Sequence, residues 1–202
     1  AMHRDAFFES DDEQERADAL AEFKAFALDP ARAAVVTWTL YAHRIDGGDG
    51  LLGQAAAGVP GDTVLISGQL MTSEQLEANT LMHEIGHTLG LRHGGLDDVN
   101  GKPNYVSIMN YDYTLTDGLV RDDAAGIVDY SRFELKPLDE GDGMVESEGL
   151  TALDAAHQDD LDSYSVFYHC DGGDDRTLVS ASDSIDWNCD GKISSKVSAD
   201  VN

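Results

Sequence analysis

The chain has 202 residues, 42% of them hydrophobic and 7% aromatic, with 39 acidic against 13 basic side chains and a formal net charge of −26. That length is enough to bury a core in one domain, or in one domain with a small appendage, and the apolar content excludes a chain disordered throughout. So negative a molecule repels nucleic acid and anionic membrane surfaces, so neither is expected as a partner, and cations are. No apolar run approaches the roughly 20 residues needed to span a bilayer. The first residues, Ala1 to Asp5, lack the apolar stretch of a signal peptide, so a secreted protein is expected to have lost its leader.

In chain order, residues 11–28 are rich in Ala, Glu and Leu without Gly or Pro, with Leu20, Phe23, Phe26 and Ala27 at helical spacing until Asp29 and Pro30 stop the run. This predicts a backing helix. Residues 34–42 (AVVTWTLYA) are β-branched and aromatic and predict a buried strand, after which the Gly-rich residues 46–50 turn the chain. Residues 53–57 are a candidate edge strand, residues 59–62 a turn, and residues 63–67 (TVLIS) a core strand. Thr72 or Ser73 caps a predicted helix from Glu74 to Leu89, which Gly90 ends. A Gly, Asn and Asp loop at 94–104, an apolar segment at 105–111, a mixed stretch at 118–131 and a further helix at 150–161 follow, and beyond Cys170 the chain is mostly Asp, Ser and Gly. The order predicts an α+β domain over residues 1–164 and a small acidic segment over 165–202.

The chemistry is concentrated in His83-Glu84-Ile85-Gly86-His87-Thr88-Leu89-Gly90-Leu91-Arg92-His93, which reads HExxHxxGxxH. Residues four apart on a helix lie about 40° apart around the axis and about 6 Å apart along it, so His83 and His87 can address one ion. Leu81, Ile85 and Leu89 fall on the opposite side, free to pack. On a continuing helix His93 would stand about 9 Å beyond His87, too far for Zn–N bonds of about 2.0–2.1 Å. The helix must therefore end, and Gly90 permits the left-handed turn that returns His93 to the ion. Three imidazoles leave a fourth position for water, the pattern of a catalytic zinc site. Glu84 is too far around the helix to share the metal with both histidines but can exchange a proton with that water, which predicts carbonyl hydrolysis with Glu84 as general base and acid. A lone HExxH is a weak signal; the added Gly90 and His93 make this one specific.

With Ser107-Ile108-Met109-Asn110-Tyr111 downstream, the sequence resembles the metzincin clan of zinc metallopeptidases. The resemblance runs from about residue 11 to 162. It implies an upper subdomain of twisted sheet, backing helix and active-site helix, an irregular lower subdomain, and substrate lying antiparallel to an edge strand, for which residues 53–57 are the candidate. It also implies that Met109 forms the methionine turn beneath the histidines, and that Tyr111 is an extra ligand or a hydroxyl stabilising the oxyanion. The residue after the third histidine is Gly94, which does not assign the chain to the astacin, adamalysin, matrixin or serralysin group. The loop at 94–105 and the stretch Asp129-Tyr130-Ser131-Arg132 look like those of secreted bacterial metzincins.

Asp186-Trp187-Asn188-Cys189-Asp190-Gly191-Lys192-Ile193 matches the first eight positions of an EF-hand-type loop. Asp186, Asn188 and Asp190 would offer side-chain oxygens to calcium, Gly191 the sharp turn and Lys192 its carbonyl. Position twelve is Val197 rather than Glu, so Asp200 is the candidate for the missing carboxylate; the alternative is a solvated acidic tail. Asp97, Asp98 and Asn100 are a second calcium candidate, with a solvated loop as the alternative. Cys170 and Cys189 are the only cysteines, and an even count at close spacing suggests one disulfide and an oxidising compartment, two separate thiols being the alternative. His3, His43, His157 and His169 lack ligand spacing and are expected at the surface or in the core.

The sequence thus predicts a secreted, monomeric zinc endopeptidase with bound calcium and a protein or peptide substrate. His83, His87 and His93 are its metal ligands, Glu84 and Tyr111 its catalytic residues, and Met109 and Gly90 its structural supports. The rivals are a calcium-dependent binding or adhesion module on an inactive metzincin scaffold, and a zinc hydrolase of some substrate other than peptide.

Overall fold

The structure, a computed structural model, describes residues 13–33, 35–45, 50–55, 62–141, 143–170 and 176–201. It is mixed α+β, with two small sheets and few helices. The expected turns at 46–49 and 59–61, residues 56–57 of the edge strand, residues 11–12 of the first helix and His3 lie outside the described residues. The chain divides into two compact units, Ala1–Leu91 and Arg92–Asn202.

In the first unit, helix α1 (Glu13–Ala27) stops where Asp29 accepts a hydrogen bond from Ala31 N, and Pro30–Ala33 forms a single further turn, α2. Strands β1 (Trp38–Ala42), β2 (Gly53–Ala55) and β3 (Thr63–Ser67) make a sheet of order β1-β3-β2, with β1 parallel and β2 antiparallel to β3. The central strand is buried at every residue, as its β-branched run predicts, and Val64, Leu65 and Ile66 form the sheet's core. β1 is shorter and more exposed than its apolar sequence suggests. It begins only at Trp38, Val35 is 79% exposed, and its side chains alternate between half-buried and exposed because successive residues point to opposite faces of the sheet. Phe23 of α1 packs on Trp38, ring centroids 5.8 Å apart, and Lys24 donates to Thr63 Oγ1 while pairing with Asp62. α1 thus contacts the sheet at Trp38 and Thr63. Helix α3 (Glu74–Thr88) packs on β2 and β3. Ser73 caps it, its hydroxyl accepting from Leu76 N at 3.0 Å, and Glu74 and Glu77 place negative charge in the first turn, where the helix dipole favours it.

The second unit holds α4 (Tyr111–Thr114), β4 (Leu119–Arg121), β5 (Ala124–Ile127), α5 (Gln158–Leu161), β6 (Tyr164–His169) and β7 (Arg176–Ser180). Its four strands form an antiparallel sheet of order β5-β4-β6-β7. β4 and β5 are joined by Asp122 and Asp123, both left-handed at φ 49° and 61°, the backbone of a two-residue hairpin turn. β6 alternates strictly, with Tyr164, Val166 and Tyr168 buried on one face. Tyr168 meets the buried Trp187 edge to face, and Phe133 meets Tyr164 in the same way.

The helix expected at 150–161 is a correction. Leu150 N donates to Ala181 O, and Leu135 and Ala152 form an isolated β-bridge, so residues 150–152 pair with their neighbours as extended chain. Only a 3-10 turn over Ala155–His157 and α5 are helical, started by Asp154, whose carboxylate accepts from Ala156 N. The boundary placed by sequence at 164/165 falls at the start of β6, which continues across it. Because one hydroxyl caps the helix bearing the motif, Ser73→Ala is expected to lower unfolding stability by about 1 kcal/mol, measured as a shift in urea midpoint at unchanged m-value.

Candidate metal centre

His83 and His87 sit one turn apart on α3, as their spacing requires, and His83 is buried. Their rings stand edge to face, centroids 4.7 Å apart, and their Nε2 atoms approach to 3.1 Å. Two nitrogens bound at about 2.0–2.1 Å to one tetrahedral zinc stand roughly 3.3–3.4 Å apart, so the pair is already close to a shared-ion geometry. His87 Nδ1 lies 2.9 Å from Leu91 O. A carbonyl can only accept, so Nδ1 carries the proton and Nε2 presents its lone pair, the arrangement that orients a metal-binding imidazole.

The carbonyl that fixes His87 is supplied by the end of the helix. Gly90 adopts φ 89°, Gly90 N donates to His87 O, and Leu91 N donates back to Gly86 O, both at 3.0 Å. This is a complete Schellman cap, with glycine at the left-handed position. The turn also folds back the short stretch of chain leading to His93. The ligand nitrogens of His83, His87 and His93 all lie within 4.8 Å of one another. The boundary between the compact units falls between Leu91 and Arg92, and the convergence belongs to the continuous run 83–93. An all-nitrogen set of three imidazoles suits zinc and other first-row transition ions rather than calcium or magnesium, which take oxygen.

Glu84 is 7% exposed, and burial pushes its carboxyl up to about 7. A divalent cation held by the imidazoles would act in the opposite sense, favouring the carboxylate. Tyr111 opens α4, its backbone N–H held by Asn100 Oδ1 at 2.8 Å, and its ring lies 4.5 Å from that of His93. At 39% exposure its side chain is reachable by solvent. Met109 is wholly buried in a tight turn in which Asn110 N donates to Ser107 O and Met109 N to Ser107 Oγ. The structure therefore brings Tyr111 to His93 and places Met109 in a turn.

Gly94, directly after the third histidine, has a local reason. A Cβ there would overlap Val99 O and Asp97 Oδ1. The loop it opens uses its acids internally: Asp97 pairs with Lys102 and accepts from Val99 N, Asp98 pairs with Arg92, and Asn100 holds Tyr111 N. The hydrogen bond from Lys102 holds the Asp97 carboxyl below its ordinary range. The residues of the second calcium candidate thus have protein partners in this structure.

Cys170 and Cys189 form a disulfide. In the acidic loop, Asp186 accepts from Asp190 N and Gly191 N, Asn188 from Asp190 N, and Asp190 from Lys192 N. Ile185 and Trp187 are buried, so the loop is anchored in the second unit and is not a free tail. Asp200 is exposed. The carboxylate that reaches the loop is Glu146, which the sequence reading missed: it is fully buried, accepting from Ser194 N at 2.8 Å and Asn188 N at 3.4 Å. Its 42-residue separation from Asn188 left no local signal. His169, expected to be a bland surface or core group, contacts both oxygens of the buried Asp112, at 3.0 and 3.2 Å.

Comparisons of the chain with protein families, with curated proteins and with solved structures find no match. No helix among the described residues is long and apolar enough to cross a membrane.

Replacing Gly90 by Ala forces a side chain into the left-handed region, and is expected to cost about 1–2 kcal/mol of stability in chemical denaturation. Purified protein is expected to bind one transition-metal ion per chain by elemental analysis. His93→Ala should weaken that binding by more than the roughly 10–100-fold that loss of an outer-shell partner costs, measured by competition with a chromophoric chelator.

Proposed function

We propose that this protein is a secreted zinc-dependent endopeptidase of metzincin type. The observation that carries the reading is the convergence of His83, His87 and His93 beside a buried Glu84. The donor set fits zinc: three imidazoles, one oriented by a backbone carbonyl, held on a helix and its cap. When bound there, zinc would supply a Lewis acid that polarises a carbonyl and makes water acidic near neutral pH.

The rest falls to the chain's own groups. Glu84 takes a proton from the attacking water and passes it to the departing amine nitrogen, a role open to a carboxylate held in a buried position on the helix that carries two of the histidines. Tyr111 donates its hydroxyl to the negative oxygen that develops on the scissile carbonyl. The outer edge of β2 offers backbone groups to an extended peptide, the mode in which a substrate adds as a strand. The disulfide supports an oxidising, extracellular location.

In the second unit we propose that the loop at Asp186, Asn188, Asp190 and Lys192 O holds calcium, with the buried Glu146, which accepts from Asn188 N of the loop, a candidate carboxylate beside Asp200. Calcium at millimolar concentration is expected to raise the melting temperature of the wild-type protein by several degrees and to leave Asp186→Ala unchanged, read by differential scanning fluorimetry.

The deciding experiment digests a denatured protein with zinc-loaded wild type and with Glu84→Gln. The wild type should cleave internal peptide bonds, and the variant should lose about 10²–10⁴-fold in kcat at equal zinc content. Equal cleavage by both, or none by the zinc-loaded wild type, overturns the protease assignment.

A further inference from the structure

Glycine inside a strand weakens it, because the residue loses the most backbone freedom on folding and has no side chain to pack. Gly53, the first residue of β2, nevertheless stands opposite Ile66 in the sheet. Its backbone gives no reason for glycine, since it is absent from the residues with positive φ. The reason is space. A Cβ built on Gly53 would lie 2.6 Å from Glu84 Oε1, 2.7 Å from its Cγ and 2.9 Å from its Cδ. Those separations are well inside the contact distance of about 3.5–4.0 Å for carbon atoms. Gly53 is buried, and α3, which carries Glu84, packs on β2.

We propose that Gly53 is a positioning residue for Glu84. The bare backbone of β2 is the floor on which the carboxylate lies, and any side chain there displaces the carboxylate rather than the strand. The asymmetry follows from what would have to move. The nearest atoms are the outer part of a rotatable side chain, whereas Gly53 is tied into the sheet through its pairing with Ile66, beside the bond from Ser67 N to Leu52 O. A methyl group at position 53 therefore leaves the fold and the three imidazoles in place and moves the one group that must meet the water. The steric part stands on the structure alone; the catalytic consequence rests on the peptidase reading above.

The test uses wild type, Gly53→Ala, Glu84→Ala and the double variant. In metal-free protein, Gly53→Ala should lower the urea midpoint in the wild-type background and leave it unchanged or raised in the Glu84→Ala background, where the carboxylate no longer competes for the space. A crystal structure of Gly53→Ala should show Glu84 in a different rotamer with β2 unmoved. With zinc and a peptide substrate, Gly53→Ala should retain wild-type zinc stoichiometry and KM and lose at least tenfold in kcat. In a Glu84→Gln background it should cause no further loss. Equal loss of stability in both backgrounds, or Glu84 unmoved in the crystal, overturns the proposal. So does a kcat effect that adds in full to that of Glu84→Gln. If the zinc-loaded wild type is inactive, the peptidase reading fails while the stability cycle and the crystal structure still decide the steric claim.

Discussion

The left-handed turn at Gly90 is the constraint on which the candidate centre depends. A helix can fix two imidazoles one turn apart, but it carries any later residue away along its axis. The reversal that ends α3 also satisfies its loose ends: Gly90 N and Leu91 N return to His87 O and Gly86 O, carbonyls that helix termination would otherwise leave unmet. Leu91 O, placed by the same turn, then receives His87 Nδ1. One backbone conformation accordingly ends the helix, sets a tautomer and brings a third ring to the other two. None of these could be adjusted independently of the rest.

A chain with three times as many acids as bases cannot pair its carboxylates with cations. The structure shows the alternative use. Asp29, Asp154, Asp186 and Asp190 accept backbone N–H groups at turns, and the few Lys and Arg side chains are kept for selected acids, as in Lys24 to Asp62 and Arg121 to Asp160. Aspartate is well suited to this because its short carboxylate reaches the amide two residues on. The composition that reads at first as a property of the whole surface is therefore, at these positions, a property of the loops. It lets a protein with little regular structure in its second unit hold defined turns.

What the sequence disclosed follows the range of each interaction. The cap at Ser73, the helix to Thr88, the glycine at its end and the buried strand at 63–67 are all governed by neighbours within a few residues, and each is where the pattern places it. Leu150 and Ala152 show the opposite case. Their spacing of two suits a strand as well as a broken helix, and the partners that decide, Ala181 and Leu135, are remote in sequence. β5 (AAGI) has no composition to mark it as a strand and is specified by the hairpin turn at Asp122 and Asp123 and by its neighbour β4. At the candidate centre the approach of the three histidines was legible because a motif is a local record of geometry. Gly53 and Glu146 were not: one acts through what it lacks, the other from 42 residues away.

Cys189 shows how remote and local terms combine. It lies between Asn188 and Asp190 with φ 53°, a conformation that costs a non-glycine residue about 1–2 kcal/mol. Local bonds favour it, since Asp186 and Asn188 both accept from Asp190 N. The disulfide to Cys170, just beyond the end of β6, ties the residue to the sheet, and the buried Trp187 against Tyr168 ties the preceding turn to the same strand. With both anchors on β6, the loop cannot relax without giving up an apolar contact of the second unit's core. A carboxylate-rich turn is held in place there by a hydrophobic ring and a covalent bond together with its own side-chain to backbone hydrogen bonds.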